Sequence, residues 1–152
     1  MSAIRLPESA QPLLPFCRRY EEPLDNACFD TYADFVTFAA SCGYHRLNGR
    51  MPEEPKEFLS KTYPIDLAVF KNQSLFPNLL LIGLGTEGKP DIARDEERLC
   101  RVVEAFADVG CKFLSHELKI SNPASFHLDL AELLCDTLEL NKHAPEENEH
   151  AK

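Results

Sequence analysis

Apolar side chains recur at helical spacing along much of the chain, and the strongest stripe lies in its second half. From Asp95 onward, Leu99, Val102, Val103, Phe106, Gly110, Phe113, Leu114 and Leu118 share one face of a continuous helix. Asp95, Glu96 and Glu97 suit its positive end. Gly110 sits inside this stripe and reads as a weak point, at about 1 kcal/mol against alanine. A second helix is predicted over Asp30–Cys42, with Tyr32, Phe35, Val36 and Ala39 on its buried face. Asp30 or Thr31 caps it, Asp34 partners Thr31, and Gly43 is expected to end it. A third starts at Ser121-Asn122-Pro123 and buries Phe126, Leu130, Leu133, Leu134 and Leu138.

The remaining segments are weaker. Residues 45–62 carry turn signals and read as a loop. Ile65–Phe70 is short enough to be helix or strand, and Phe76–Leu84 is too short to type by period. The prolines at 7, 12 and 15 mark residues 1–15 as a loose arm. Residues 143–152, acidic and without large apolar side chains, read as a disordered tail. The expected fold is a single all-α domain over 16–142, a small bundle of about four to six helices.

A length of 152 residues fits one domain, and two would each be short of core. The longest apolar run, Leu79 to Leu84, falls far below the roughly 20 residues of a membrane helix. With no signal-peptide pattern, a cytoplasmic location is expected. The formal charge of −9 is concentrated after residue 75. An acidic domain is repelled by phosphate backbones, which disfavours stand-alone DNA binding.

The six cysteines (17, 28, 42, 100, 111 and 135) lack zinc-ligand spacing and are expected to be reduced and structural. Gly83-Leu-Gly-Thr-Glu-Gly88-Lys89-Pro90 matches G-x-G-x-x-G and the opening of a P-loop. Pro90 stands where a P-loop needs Ser or Thr, and no strand ending in an acid follows at the right distance. A glycine-rich turn joining two helices is the simpler reading. His116-Glu117 and His127-x-Asp129 border apolar stripes and lack a further ligand in register. Arg18-Arg19-Tyr20 and the group His45, Arg46 and Arg50 are the compact basic clusters. Glu21 and Glu22 offset the first; the second lies in a loop, where contacts concentrate.

Four segments, taken in order, resemble the Dnd system-associated protein 4 family, also called DNA phosphorothioation-associated protein 4. They are Phe29 to Tyr44 (FDTYADFVTFAASCGY), Pro64 to Phe70 (PIDLAVF), Asn78 to Gly88 (NLLLIGLGTEG) and Phe106 to Leu114 (FADVGCKFL). The likeness spans about residues 29–118, its first segment being the most specific. It implies a non-enzymatic accessory subunit of a bacterial system that replaces a backbone oxygen of DNA with sulfur and defends against phage. Its partners would be larger proteins that supply ATPase, nuclease or sulfur chemistry. It carries over no catalytic residue, cofactor or metal ligand, and no membrane association. Tyr44, His45, Arg46, Leu47, Arg50, Met51 and Phe58 are the candidate contacts, to a protein partner or, in a second reading, to DNA through the basic loop. A third reading makes the glycine segment the nucleotide site of an enzyme.

Overall fold

The computed structural model describes residues 2–25, 27–62, 64–117 and 129–133. The chain divides into two compact units, 1–117 and 118–152. Among the described residues of the first lie four α-helices, α1 (Tyr32–Arg46), α2 (Leu67–Asn72), α3 (Phe76–Glu87) and α4 (Glu96–Glu117). Two 3-10 helices, Glu8–Phe16 and Pro90–Arg94, and a ribbon of β1 (Ala3–Ile4) against β2 (Ile65–Asp66) complete it. In the second unit residues 129–133 are helical, with Leu130 and Leu133 half-buried. The start of the expected last helix, His127, Cys135 and the acidic tail lie outside the described residues. The protein is mostly helical, as its apolar periodicity predicts.

Helix α4 is the centre of the first unit. Leu99, Val102, Val103, Phe106, Gly110 and Leu114 are buried as the stripe requires. Burial goes further than one stripe, because every residue from Glu104 to Asp108 is covered. The helix is enclosed by α1, α3, both 3-10 helices and β1. Its most extensive packing is against α1. There Gly43 abuts the backbone of Phe106, and Gly110 abuts that of Ala39. A Cβ on Gly110 would stand 2.6 Å from the carbonyl carbon of Ala39. Gly110 is therefore a point of close approach between the two backbones, and its lack of a side chain is what allows it.

Gly43 was expected to stop α1, yet the helix continues to Arg46. The expected cap holds: Thr31 Oγ1 accepts from the Asp34 backbone N–H at 3.1 Å and donates to Asp34 Oδ2 at 2.9 Å. What stops α1 is the turn beyond, where Asn48 and Gly49 take positive φ of 51° and 76°.

The N-terminal fifteen residues are a correction. Far from a loose arm, they carry β1 and most of a 3-10 helix, with Ile4, Leu6, Ala10, Leu13 and Leu14 buried. In a 3-10 helix residues three apart eclipse, so Ala10, Leu13 and Phe16 form one buried row despite Pro12 and Pro15. Two hydrogen-bonded groups fasten this segment to α4. Arg5 donates through its backbone N–H at 2.8 Å and its Nε at 2.9 Å to Glu104 Oε2, and through Nη2 at 3.2 Å to Oε1. Ser9 donates to Asp108 Oδ1 at 2.6 Å. The short piece at 65–70 turns out to be both strand and helix: Ile65 and Asp66 pair with Ile4 and Ala3, and Asp66 then caps α2 by accepting from Ala68.

Candidate partner-binding surfaces

The turn after α1 gathers several of the candidate contacts. His45 and Arg46 are exposed in the last turn of α1, where free carbonyls favour cations. Arg46 lays its guanidinium 4.5 Å over the Phe113 ring. Leu47 is half-buried, and its carbonyl accepts from Arg50 Nε at 3.3 Å. Met51 is 43% exposed. Two residues stand apart in role. Tyr44 packs edge-on against Phe106 at 5.5 Å, with its phenol against Gly49 and Gly85, so it is mainly a core wedge. Phe58 is half-buried under the Arg5 guanidinium, 3.8 Å above its ring, and bridges to Pro7. Both arginines of this group, Arg46 and Arg50, are thus already engaged within the chain.

The glycine segment is helical rather than a turn. Gly83 and Gly85 belong to α3, and only Gly88, at φ 69°, leaves it in the left-handed region. A Cβ on Gly83 would meet Leu99 Cδ1 at 2.7 Å, and one on Gly85 would meet Tyr44 Cζ at 2.9 Å. These glycines admit close packing of α3. Phosphates are cradled by backbone N–H groups at a helix's positive start, whereas this segment occupies the carbonyl end. Nothing in that geometry favours a nucleotide.

Two surfaces escaped the sequence reading. Leu81 on α3 is 66% exposed, beside half-buried Leu80 and Leu84. The signal was present, for α3 (FPNLLLIGLGTE) has no polar stripe at all. A helix apolar on every side is covered on every side or presents an apolar face. The second surface is a groove of about 910 Å³ between the N-terminal 3-10 helix, the 52–59 segment and α4.

The thiols are held neutral by burial. It pushes Cys17 and Cys100 up to about 12, Cys42 to about 11, and Cys111 higher than the ordinary thiol range. Carboxylates add to this at Cys100, Glu104 foremost. A reactive cysteine needs a stabilised thiolate, which is the opposite setting. At pH 8 a thiol near 12 has about a thousandfold fewer thiolates than one near 9. A disulfide-exchange reagent is therefore expected to label exposed Cys28 first among the described cysteines. Cys17, Cys100 and Cys111 should react only at the rate of unfolding, as peptide mapping of a time course would show. Early labelling of Cys100 would contradict the burial argument. Among the described residues no group of three or more His, Cys, Asp and Glu side chains is placed to hold a metal ion, and His116 is exposed.

The structure defines a small, mostly helical protein. The model of the family described as DNA sulphur modification system-associated protein 4 matches residues 4–151, and the chain belongs to that family. The match extends the resemblance of residues 29–118 to nearly the whole chain. No curated protein and no solved structure matches the chain. No helix among the described residues is long and apolar enough to cross a membrane.

Proposed function

We propose that this protein is a non-enzymatic adaptor in a DNA phosphorothioation-linked, Dnd-type anti-phage defence system. It works in the cytoplasm by holding larger proteins that supply the ATPase, nuclease or sulfur chemistry. Membership of a family associated with DNA sulphur modification supports the setting. The observation that carries the adaptor role is the apolar face of α3. Leu81 leaves two thirds of a large apolar side chain in water, with Leu80 and Leu84 half-buried on the same helix, and exposed apolar surface of this kind supports a protein contact. The net acidic charge fits a protein partner better than a phosphate backbone.

Leu81→Glu separates this role from folding. At so exposed a position the substitution should change stability by no more than about 0.5 kcal/mol. Cells carrying the defence system with Leu81→Glu are expected to lose protection in a phage plaque assay as fully as cells lacking the chain. Full protection by a variant that accumulates normally would overturn the role assigned to this face.

The second reading, contact with DNA, draws on the exposed basic loop at the end of α1, with His45, Arg46 and Arg50. It requires the isolated protein to shift duplex DNA, with a log–log salt slope of about −0.9 per phosphate contacted. The engagement of Arg46 by Phe113 and of Arg50 by Leu47 argues for the adaptor instead.

A further inference from the structure

The groove beside α4 lies apart from the α3 face. Gly83 of α3 meets α4 at Leu99, whereas the groove meets it at Asp108, Val109 and Lys112. At 1.5 Å per residue those sites are about 15 Å apart along the helix. Its walls are fixed by bonds already described and by others in line with them. Pro7 bridges antiparallel to Phe58, the Glu8 backbone N–H donates to the Glu57 carbonyl at 3.1 Å, and Ser9 is tied to Asp108.

The lining has two characters. Pro12, Pro52, Pro55, Leu59 and Val109 provide apolar walls without any donor or acceptor in their side chains. Around them stand, among the described residues, Glu8, Glu53, Glu54, Glu57 and Asp108 against Lys56 and Lys112. Lys112 is already consumed by Asp108, at 2.9 Å. Among the described residues of the lining, Lys56 is then the cation left to answer Glu8, Glu53, Glu54 and Glu57, with Arg5 outside the lining acting on Glu54. Glu8 and Glu57 lie side to side, and their hydrogen bond and mutual repulsion hold the Glu8 carboxyl above the usual carboxylate range. A cation placed between them would relieve that repulsion.

We propose that this groove docks an extended, lysine- or arginine-rich segment of a partner protein, the alkyl stems lying on the proline, leucine and valine walls and the charged heads reaching Glu53, Glu54 and the Glu8–Glu57 pair. Basic side chains divide in this way between apolar stems and hydrated heads. A volume of about 910 Å³ accommodates several such side chains. The excess of carboxylates repels nucleic acid from the same place. The proposal rests on the adaptor reading and adds a second surface to it, so that α3 and the groove can hold different partner segments.

The probe is a short fluorescein-labelled peptide alternating Lys and Ala, with its Gln-for-Lys counterpart as the uncharged control. Binding to the full chain is followed by anisotropy at low ionic strength, and located by amide shift perturbation. The Lys peptide is expected to bind, the Gln peptide not, with shifts at residues 52–59 and 108–112. Glu53→Gln, Glu54→Gln and Glu57→Gln together should weaken binding at least about tenfold, close to 1.4 kcal/mol. Glu21→Gln, Glu22→Gln and Asp25→Asn together remove as many exposed carboxylates elsewhere and should change it less than about twofold. Equal weakening by both sets, shifts centred away from the groove, or no binding would overturn the proposal. Co-purification with the defence proteins keeps the two readings distinct. If the groove variant still captures them undiminished, the groove falls and the adaptor stands; if the native chain captures none, the adaptor itself falls.

Discussion

Replacing Gly110 with alanine is expected to destabilise the domain by about 2–3 kcal/mol, against a helix propensity that favours alanine by about 1. The sign of the result is what makes it informative. Gly110 lies in the middle of α4, where a propensity argument counts it as a defect. Yet its missing side chain is where Ala39 of α1 rests, with 2.6 Å between a would-be Cβ and the Ala39 carbonyl carbon. The neighbour is backbone and cannot rotate away, so the two helices must separate. Because α1 and α4 share the largest interface of the unit, separation loosens Phe35, Val36, Val103 and Phe106 together. Thermal unfolding should show a midpoint lower by about 10 °C. A midpoint unchanged or raised would mean that the crossing is not as close as described.

The second large effect concerns the N-terminal segment. Glu104 is almost wholly buried, its side chain 3% exposed, and Arg5, at 50%, is its countercharge. Arg5→Met keeps apolar contact with Phe58 but leaves a carboxylate unpaired inside the protein. Breaking a buried pair costs about 3–5 kcal/mol, and the half-exposed arginine brings this to about 2–3. The test lies in the next step. Adding Glu104→Gln to Arg5→Met is expected to restore part of the loss, because a neutral amide is cheaper to bury and still accepts from the Arg5 backbone N–H. Urea unfolding of the single and double variants measures the difference. A double variant no more stable than Arg5→Met would remove the buried charge as the cause.

Much of the fold is legible in the sequence where one face of a helix decides its fate. The stripe of α4, the Thr31–Asp34 cap of α1 and the mostly helical class all follow from spacing and capping chemistry. The misreadings share a cause, which is that glycine and proline carry two meanings. Gly43 looks like a stop, Gly83 and Gly85 like a turn and Gly110 like a weak point in its helix when only backbone freedom is considered, but three-dimensional packing uses them as points of close approach. Pro12 and Pro15 look like a break, but a row with period three passes through them. That row is invisible to a search at period 3.6. The buried pairing of Arg5 with Glu104 joins residues 99 positions apart and has no local signature. Of the candidate surfaces, the cationic end of α1 was visible as a charge cluster, and the α3 face could have been seen from the missing polar stripe. The groove could not, because its walls come from three distant segments.

Sedimentation of the chain with the purified proteins of its DNA sulphur modification system bears most directly on the proposal that it works through its surfaces. The account predicts one larger species containing the 17.2 kDa chain, which Leu81→Glu dissolves while leaving the helical circular dichroism of the free protein unchanged. A chain that sediments alone beside a fully active system, or that turns over a substrate by itself, would contradict it.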